Sequence, residues 1–440
     1  MDKHVGRYQV YLSSAHLACK PNKLLTCKLH RYLTANMHEL TADVSQADFV
    51  ILNTCGFTQE AEDHTLMLLK GYARNGKRDT RIISVGCLNR IAPEVLEKEL
   101  ENRVVVLKRE SHLDRFFKNR IAYDDMREEY IEEDNLMRLN AEMYNRSVGL
   151  YYYFQSAVKK TYPLLRRSPY LERLFNEIDQ TNKFFVQIGT GCVGNCSYCI
   201  IKKARGNAVS RDVRDILEDI RRVYTPGKSV YLVADDCGSY GCDIGLSLPF
   251  LLRKIHEAYP ELTIDLNYLN PVWLEKQEDE FLIIFEQIRI GSVNVSMQSG
   301  SNRIIKRMNR QYDVGKIRSI VERLKKSSPS MHIWTHCIVG FPGETWLDFL
   351  KTVRLVHTLH FVYSFGYSDR TGTESSGMHG KNSKATIFVR KILIRSYAIV
   401  AVFVRGAGDL IKTTLSRARR RKSLQNSNLH YNPQPEEDVK

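Results

Sequence analysis

The chain of 440 residues has no run near the ~20 apolar residues that a membrane-spanning helix needs. The nearest candidate, Ser396–Val404 (SYAIVAVFV), is closed by Arg395 and Arg405 and reads as a buried strand or helix. The first residues, MDKHVGRYQVYLSSAHLACK, lack the apolar core of a secretory signal, so the expectation is a cytoplasmic protein with no membrane partner. Ten cysteines are too few for a secreted disulfide scaffold of this length, and grouped thiols in an intracellular chain point to metal binding or chemistry. No internal repeat is visible, and no histidine cluster has the spacing of a metal site. Proline and glycine, at 12 and 25 residues, are too scarce for a low-complexity chain.

Charge is plentiful but uneven. Of the net +15, +9 lies between Lys381 and Lys440, where 13 Lys and Arg face 4 Asp and Glu. The run RARRRK (Arg417–Lys422) suits a polyanion such as RNA. A solvated, disordered terminus accounts for it equally well.

Strand-like and helix-like runs alternate, which predicts an α/β fold. In residues 1–122, strands are expected at Tyr8–Leu12, Phe49–Asn53 and Arg81–Val85, with helices at Lys23–Leu33, Gln59–Tyr72 and Pro93–Leu100; this is an N-terminal open α/β sheet domain. Residues 123–183 read as a partly helical connector without a clear strand. Residues 184–378 form a second series, with strands at Phe184–Ile188, Ser229–Ala234, Leu262–Asn267, Ser292–Met297, His332–Val339 and Phe361–Phe365. Six such units suit a partial, open (β/α)6 barrel, and residues 379–440 follow as a basic C-terminal tail.

Two sets of cysteines stand out. Cys55 and Cys87 each directly follow an expected strand, in DFVILNTCGFTQE and TRIISVGCLNR, and Cys19 lies in the loop after the first strand. If the strands are parallel, all three thiols share one carboxyl edge, where open α/β sheets hold ligands. Three soft thiolates there suit iron–sulfur or zinc, although each alone could be a small buried hydrophobe. Cys27 competes with Cys19, which is preferred because Cys27 falls inside the helical run.

The second set, in GTGCVGNCSYCI (Gly189–Ile200), packs Cys192, Cys196 and Cys199 into one glycine-rich loop with no fourth ligand. Structural zinc generally takes four protein ligands. A cubane [4Fe–4S] cluster needs one per iron, so three thiolates leave one iron open to a small molecule.

CVGNCSYC resembles the CxxxCxxC motif of the radical S-adenosylmethionine (SAM) enzymes. The wider arrangement resembles the methylthiotransferases among them, on ACKPN, LNTCGFT and VGCLNR, then CIIKKARGNAVSR, ADDCGSYGCDIGLSLPFLL, VNVSMQSGSNRIIKRMNRQY, IVGFPGET and YSDRTGT, in that order. It is closest to the branch acting on threonylcarbamoyladenosine in tRNA and covers about Tyr8 to Gly377.

The resemblance implies two [4Fe–4S] clusters and SAM as cofactors. Cys192, Cys196 and Cys199 would hold the catalytic cluster, whose open iron binds SAM for cleavage to a deoxyadenosyl radical. Cys19, Cys55 and Cys87 would hold the second, which carries the sulfur to be methylated and inserted at an unactivated C–H bond. Tyr198, Asp235, Gln298 and Gly340 are the expected cofactor contacts, with Asp236, Arg205 and Arg211 as softer candidates. Cys237, Cys242 and Cys337 are read as structural. The expected partners are tRNA and an electron donor. Family members usually end in a small β-rich RNA-binding module, whereas here KATIFVRKILIRSYAIVAVFVRGAGDLIKTTLSRARRRK stands in its place. A protein or peptide acceptor, another radical sulfur insertion and a non-catalytic zinc-bearing nucleic-acid binder are the alternatives.

Overall fold

The computed structural model describes residues 7–16, 19–100, 103–117, 120–126, 130–131 and 182–429; the side chains of 413 and 416–429 lie outside that description. Most of the connector, 123–183, and the end of the basic tail are therefore outside it too.

The first sheet consists of β1 (Gln9–Ser14), β2 (Glu39–Leu40), β3 (Phe49–Thr54), β4 (Arg81–Gly86) and β5 (Val104–Val106). All pairings are parallel, in the spatial order 2-1-3-4-5. β3, FVILNT, is buried along its whole length, as the centre of a parallel sheet covered on both faces requires. Its alternate residues serve opposite faces. Phe49 and Ile51 pack with Leu29, Tyr32 and Leu33 of helix Lys20–Ala35, while Val50 and Leu52 pack with Leu69 of helix Gln59–Asn75. In this strand order the direction of winding reverses between β1 and β3, and the crevice at their carboxyl ends is where such sheets take ligands.

The second sheet contains β6 (Tyr130–Ile131) and β7 (Lys183–Gln187). After a small pair, β8 (Gly189–Thr190) and β9 (Val209–Ser210), it continues with β10 (Ser229–Val233), β11 (Ile264–Leu269), β12 (Ile290–Val295), β13 (His332–Val339) and β14 (Phe361–Gly366). Its order is 14-13-12-11-10-7-6. The six strands β7 and β10–β14 are parallel, matching the expected six βα units, and β6 is added antiparallel to β7. Amphipathic helices cover the sheet; Val213–Val223, for example, buries Ile216, Ile220 and Val223. β6 lies where no strand was expected, because two residues are too short to display a period.

After β14 the chain forms one long helix, Lys384–Leu429. It lies along the free edge of β14, where Arg395 donates to the Ser364 carbonyl at 2.7 Å and Arg405 to the Leu359 carbonyl at 2.8 Å. The expectation of a wholly buried Ser396–Val404 is corrected here: Ala398 and Val402 are buried, but Val400, Phe403 and Val404 are exposed. The helix meets only one layer, so its far face stays uncovered. Among the described residues no helix is long and apolar enough to cross a membrane.

Candidate functional site

The loop bearing Cys192, Cys196 and Cys199 leaves the carboxyl end of β7. Antiparallel pairing of β8 with β9 pinches its base. Gly191 has φ +72°, and a Cβ there would fall 2.0 Å from the Asn207 carbonyl oxygen, so the pinch tolerates glycine alone. Further bonds tie the loop to the segment after helix Asn302–Arg307. The Ser197 amide donates to the Met308 carbonyl at 3.0 Å, the Ser197 hydroxyl to Arg307 at 2.9 Å, and Asn309 Nδ2 to the Asn195 carbonyl at 2.7 Å.

Donors already face the sulfurs. The Gly194 amide lies 3.1 Å from Cys192 Sγ, and Arg310 lies 3.4 Å from Cys196 Sγ and 3.3 Å from the Tyr198 hydroxyl. The other arm of Arg310 is fixed at 2.8 Å to both Asn270 Oδ1 and the Ser296 carbonyl. Burial opposes the charge of Arg310, but Tyr198 and Cys196 keep its guanidinium protonated well above the ordinary range. Burial pushes Cys192 up to about 12, with Asp236 adding to it, and Cys199 up to about 11, with Cys196 adding to it. As free thiols these groups hold their protons, and a metal that binds them must displace those protons. A loop that turns an amide and a guanidinium toward its sulfurs suits sulfur that becomes anionic on ligation, so the residues fit an iron–sulfur group.

The expected cofactor contacts divide. Asp235, at the end of β10, accepts the Gly191 amide at 2.8 Å, so it positions the cysteine loop. Asp236 is occupied by structural bonds from the Asn270 amide, the Ser239 hydroxyl and Trp273 Nε1. Gln298 sits at φ +65°, rare for a residue with a side chain, bridging the end of β12 to Cys337 in β13. Its side chain makes no hydrogen bond among the described residues. Tyr198 meets Phe341 edge-on at 6.3 Å between ring centroids. Gly340 has φ +78°, and a Cβ there would lie 2.4 Å from Ile387 Cγ1, so the long C-terminal helix accounts for the glycine. Cys237 and Cys337 are fully buried, and Arg211 pairs with Asp219.

The other cysteines gather at the carboxyl edge of the first sheet. Cys19 precedes helix Lys20–Ala35, Cys55 follows β3 and Cys87 follows β4. Burial raises Cys19 to about 12 and Cys55 to about 11, and Cys87 adds to both. Cys27 instead packs with Leu24, Ile131, Phe185, Tyr231 and Val233 in an apolar cluster. The three edge thiols thus share one electrostatic environment from which Cys27 is absent. Among the described residues no three His, Cys, Asp or Glu side chains converge on one point as the ligands of a single metal ion do. A cubane asks for a different arrangement, with one thiolate at each of several corners.

Helix Ile201–Arg205, directly after Cys199, joins the two groups. Ile200 and Ala204 are buried in the same cluster as Cys55, Leu88 and Ile91, and Arg90 donates to the Ala204 carbonyl at 3.1 Å. Arg205 ends this helix within electrostatic reach of Cys87, Asp235 and Cys19; burial opposes its charge, but these neighbours hold it protonated above the ordinary range. The two carboxyl edges are also fastened beyond the cysteines. The Gln59 amide donates to Ser368 Oγ at 3.1 Å, Arg370 pairs with Glu62, and Lys20 reaches the Tyr231 hydroxyl at 3.1 Å. Tyr268 faces Cys19 from the second sheet, and burial, Cys19 and Asp235 raise it; His336 packs beside it with ring centroids 5.5 Å apart, within electrostatic reach of Lys20. Arg310, Tyr268 and His336 were missed in the sequence. Arg310 lies inside the MNRQY signature, the one signal that could have found it.

Residues 186–356 match the family described as "Radical SAM superfamily", and residues 12–107 match "Uncharacterized protein family UPF0004". The threonylcarbamoyladenosine tRNA methylthiotransferase MtaB of Thermotoga maritima is 27% identical over 340 residues, 76% of this chain and 69% of that protein. The human threonylcarbamoyladenosine tRNA methylthiotransferase is 29% identical over 347 residues, 78% of this chain but only 54% of the human protein. The ribosomal protein uS12 methylthiotransferase RimO of Syntrophotalea carbinolica is 29% identical over 375 residues, covering 83% and 75%.

Proposed function

The chain belongs to the radical SAM methylthiotransferases, and from that premise we propose that it installs a methylthio group on a modified adenosine of tRNA. The observation that carries this reading is the juxtaposition of two cysteine triplets across facing carboxyl edges, linked by the five residues Ile201–Arg205. A [4Fe–4S] cluster with SAM supplies reductive cleavage of the sulfonium, and with it hydrogen abstraction from an unactivated carbon.

The chain's own residues have the following roles. Cys192, Cys196 and Cys199 would hold the cluster that binds SAM, while Asp235 fixes their loop through Gly191 and Arg310 offsets negative charge beside Cys196. Cys19, Cys55 and Cys87 would hold a second cluster, the source of the transferred sulfur. Arg205, between the groups, would keep negative charge on the edge thiols from repelling Asp235. Gln298, with its free amide and strained backbone, would contact SAM or acceptor. The packed join between the sheets would exclude water, which a reactive carbon radical requires.

A protein acceptor is the second reading, favoured by the likeness to the ribosomal protein enzyme over 83% of this chain. Anaerobic reconstitution with iron and sulfide, followed by mass spectrometry of tRNA and peptide digests, tests both. A methylthio-modified adenosine supports the first reading, and a methylthio peptide supports the second. SAM cleavage without either product rejects both.

A further inference from the structure

A cavity of about 300 Å³ opens on the helical side of the second sheet, and none of its lining residues belongs to either cysteine group. Four cationic side chains line it, Arg303, Arg318, Lys351 and Arg354, with no carboxylate and no aromatic ring. Arg303 is partly engaged, donating to the Gly343 carbonyl at 2.6 Å and pairing with Asp348. Arg318 uses its Nε on Thr358 Oγ1 at 3.0 Å, which leaves its terminal nitrogens without a hydrogen bond among the described residues. The side chains of Lys351 and Arg354 make none there.

The backbone adds to this. Gly300 approaches so closely that a Cβ would lie 2.2 Å from the Lys351 carbonyl oxygen. At the start of helix Val314–Ser327, the Val314 amide donates to Asn302 Oδ1 at 2.8 Å and the Lys316 amide to Asp313 Oδ1 at 2.8 Å. The Gly315 amide between them is left open at the cavity wall, where the helix dipole also favours an anion. Asp313 adjoins this wall, but its oxygens are already taken by Lys316 and Asn302.

Like charges gathered around a hollow repel unless an anion offsets them, and guanidinium forks match phosphate oxygens in geometry. With no ring to stack on a base, the cavity recognises charge rather than sequence. We propose that it binds a phosphate group, supplied as a phosphodiester of an RNA backbone. RNA as the source rests on the reading above; the phosphate chemistry does not. The site would position a polynucleotide on the second sheet itself, independently of the basic C-terminal run.

The test is the double variant Lys351→Ala/Arg354→Ala in the full chain, against a control that removes two charges elsewhere, Lys228→Ala/Lys326→Ala. Fluorescence anisotropy with a tRNA transcript across a potassium chloride series gives the salt dependence of binding. Its slope should fall by about one per phosphate contact removed in the cavity variant and stay unchanged in the control. In a second arm, inorganic pyrophosphate should raise the melting temperature of the wild type more than that of the cavity variant. Loss of both responses supports the proposal. Loss of the pyrophosphate response alone assigns a small phosphorylated ligand and overturns the RNA source, and loss of neither overturns the site. No readout needs turnover, so a peptide acceptor would defeat the proposed function while leaving the phosphate site to be judged separately.

Discussion

The two cysteine triplets reach their positions by opposite routes. Cys192, Cys196 and Cys199 occupy one loop, whose shape comes from a two-strand pinch, a glycine at φ +72° and donors already aimed at sulfur. Cys19, Cys55 and Cys87 are scattered along the chain, and only the order of the first sheet brings β1, β3 and β4 side by side so that their ends meet. The first site is therefore largely local, whereas the second exists only once long-range parallel pairing is complete. Binding of the cluster proposed for the dispersed triplet should accordingly be the more tightly coupled to folding of its sheet.

Substitution of a single proposed ligand should separate the triplets most sharply. Cys199→Ala is expected to abolish SAM cleavage, read as loss of deoxyadenosine under reducing, anaerobic conditions. Cys55→Ala is expected to leave deoxyadenosine formation intact and to stop methylthio transfer. A methylthio product from the Cys55 variant would erase the distinction between the two sites.

Arg310 serves only the local triplet. Removing it as Arg310→Met strips hydrogen bonds from Asn270 Oδ1, the Ser296 carbonyl and the Tyr198 hydroxyl. Thermal or urea unfolding should register a loss of about 2 kcal/mol. Iron retained per chain should fall in a Cys55→Ala background, where only the loop triplet is intact. Arg310→Lys restores the charge but not the fork, so it should recover iron only in part.

Arg90 serves the join rather than either triplet, since it holds the Ala204 carbonyl from the first sheet and also pairs with Glu110. Arg90→Ala should leave SAM cleavage near wild type but raise the deoxyadenosine formed per methylthio product about two- to fivefold, a difference of under about 1 kcal/mol between productive and idle turnover. An unchanged ratio would mean that helix Ile201–Arg205 keeps its place without this bond.

This contrast also decides what could be read in advance. Cys192, Cys196 and Cys199 are visible in spacing alone, and all six parallel strands of the second sheet are visible as apolar runs; β14 (Phe361–Gly366) departs from expectation by a single residue. The dispersed triplet needed a further step, that strands end just before Cys55 and Cys87. Tyr268 and His336 were illegible because nothing local distinguishes them, and Arg310 is marked only by its place in MNRQY; all three matter through neighbours brought in from other elements. The β6 pairing and the exposed face of Ser396–Val404 were missed for related reasons. A strand of two residues has no period, and an apolar helix does not say how many layers will cover it.

A further test approaches the join from the second sheet's side. His336 lies on β13, where Asn294 Nδ2 is 3.0 Å from its Nδ1, and where Trp334 and Phe365 pack at 4.9 and 5.2 Å between ring centroids. Burial, assisted by the charge of Lys20, lowers its pKa to about 3 from an ordinary 6.5. Between those values the unfolded chain binds a proton that the folded chain refuses, so stability contributed by the neutral ring is fully present above about 6.5 and declines as pH falls. At pH 5 the loss is at most about 2 kcal/mol, from roughly 1.5 pH units at 1.36 kcal/mol each. His336→Asn removes the titration, while the other ionisable groups contribute alike to both proteins and largely cancel. Urea midpoints should therefore fall more steeply from pH 7 to pH 5 in the wild type than in His336→Asn. Parallel slopes would mean that the imidazole charges without penalty, and that Lys20 does not press on this strand as the packed join requires.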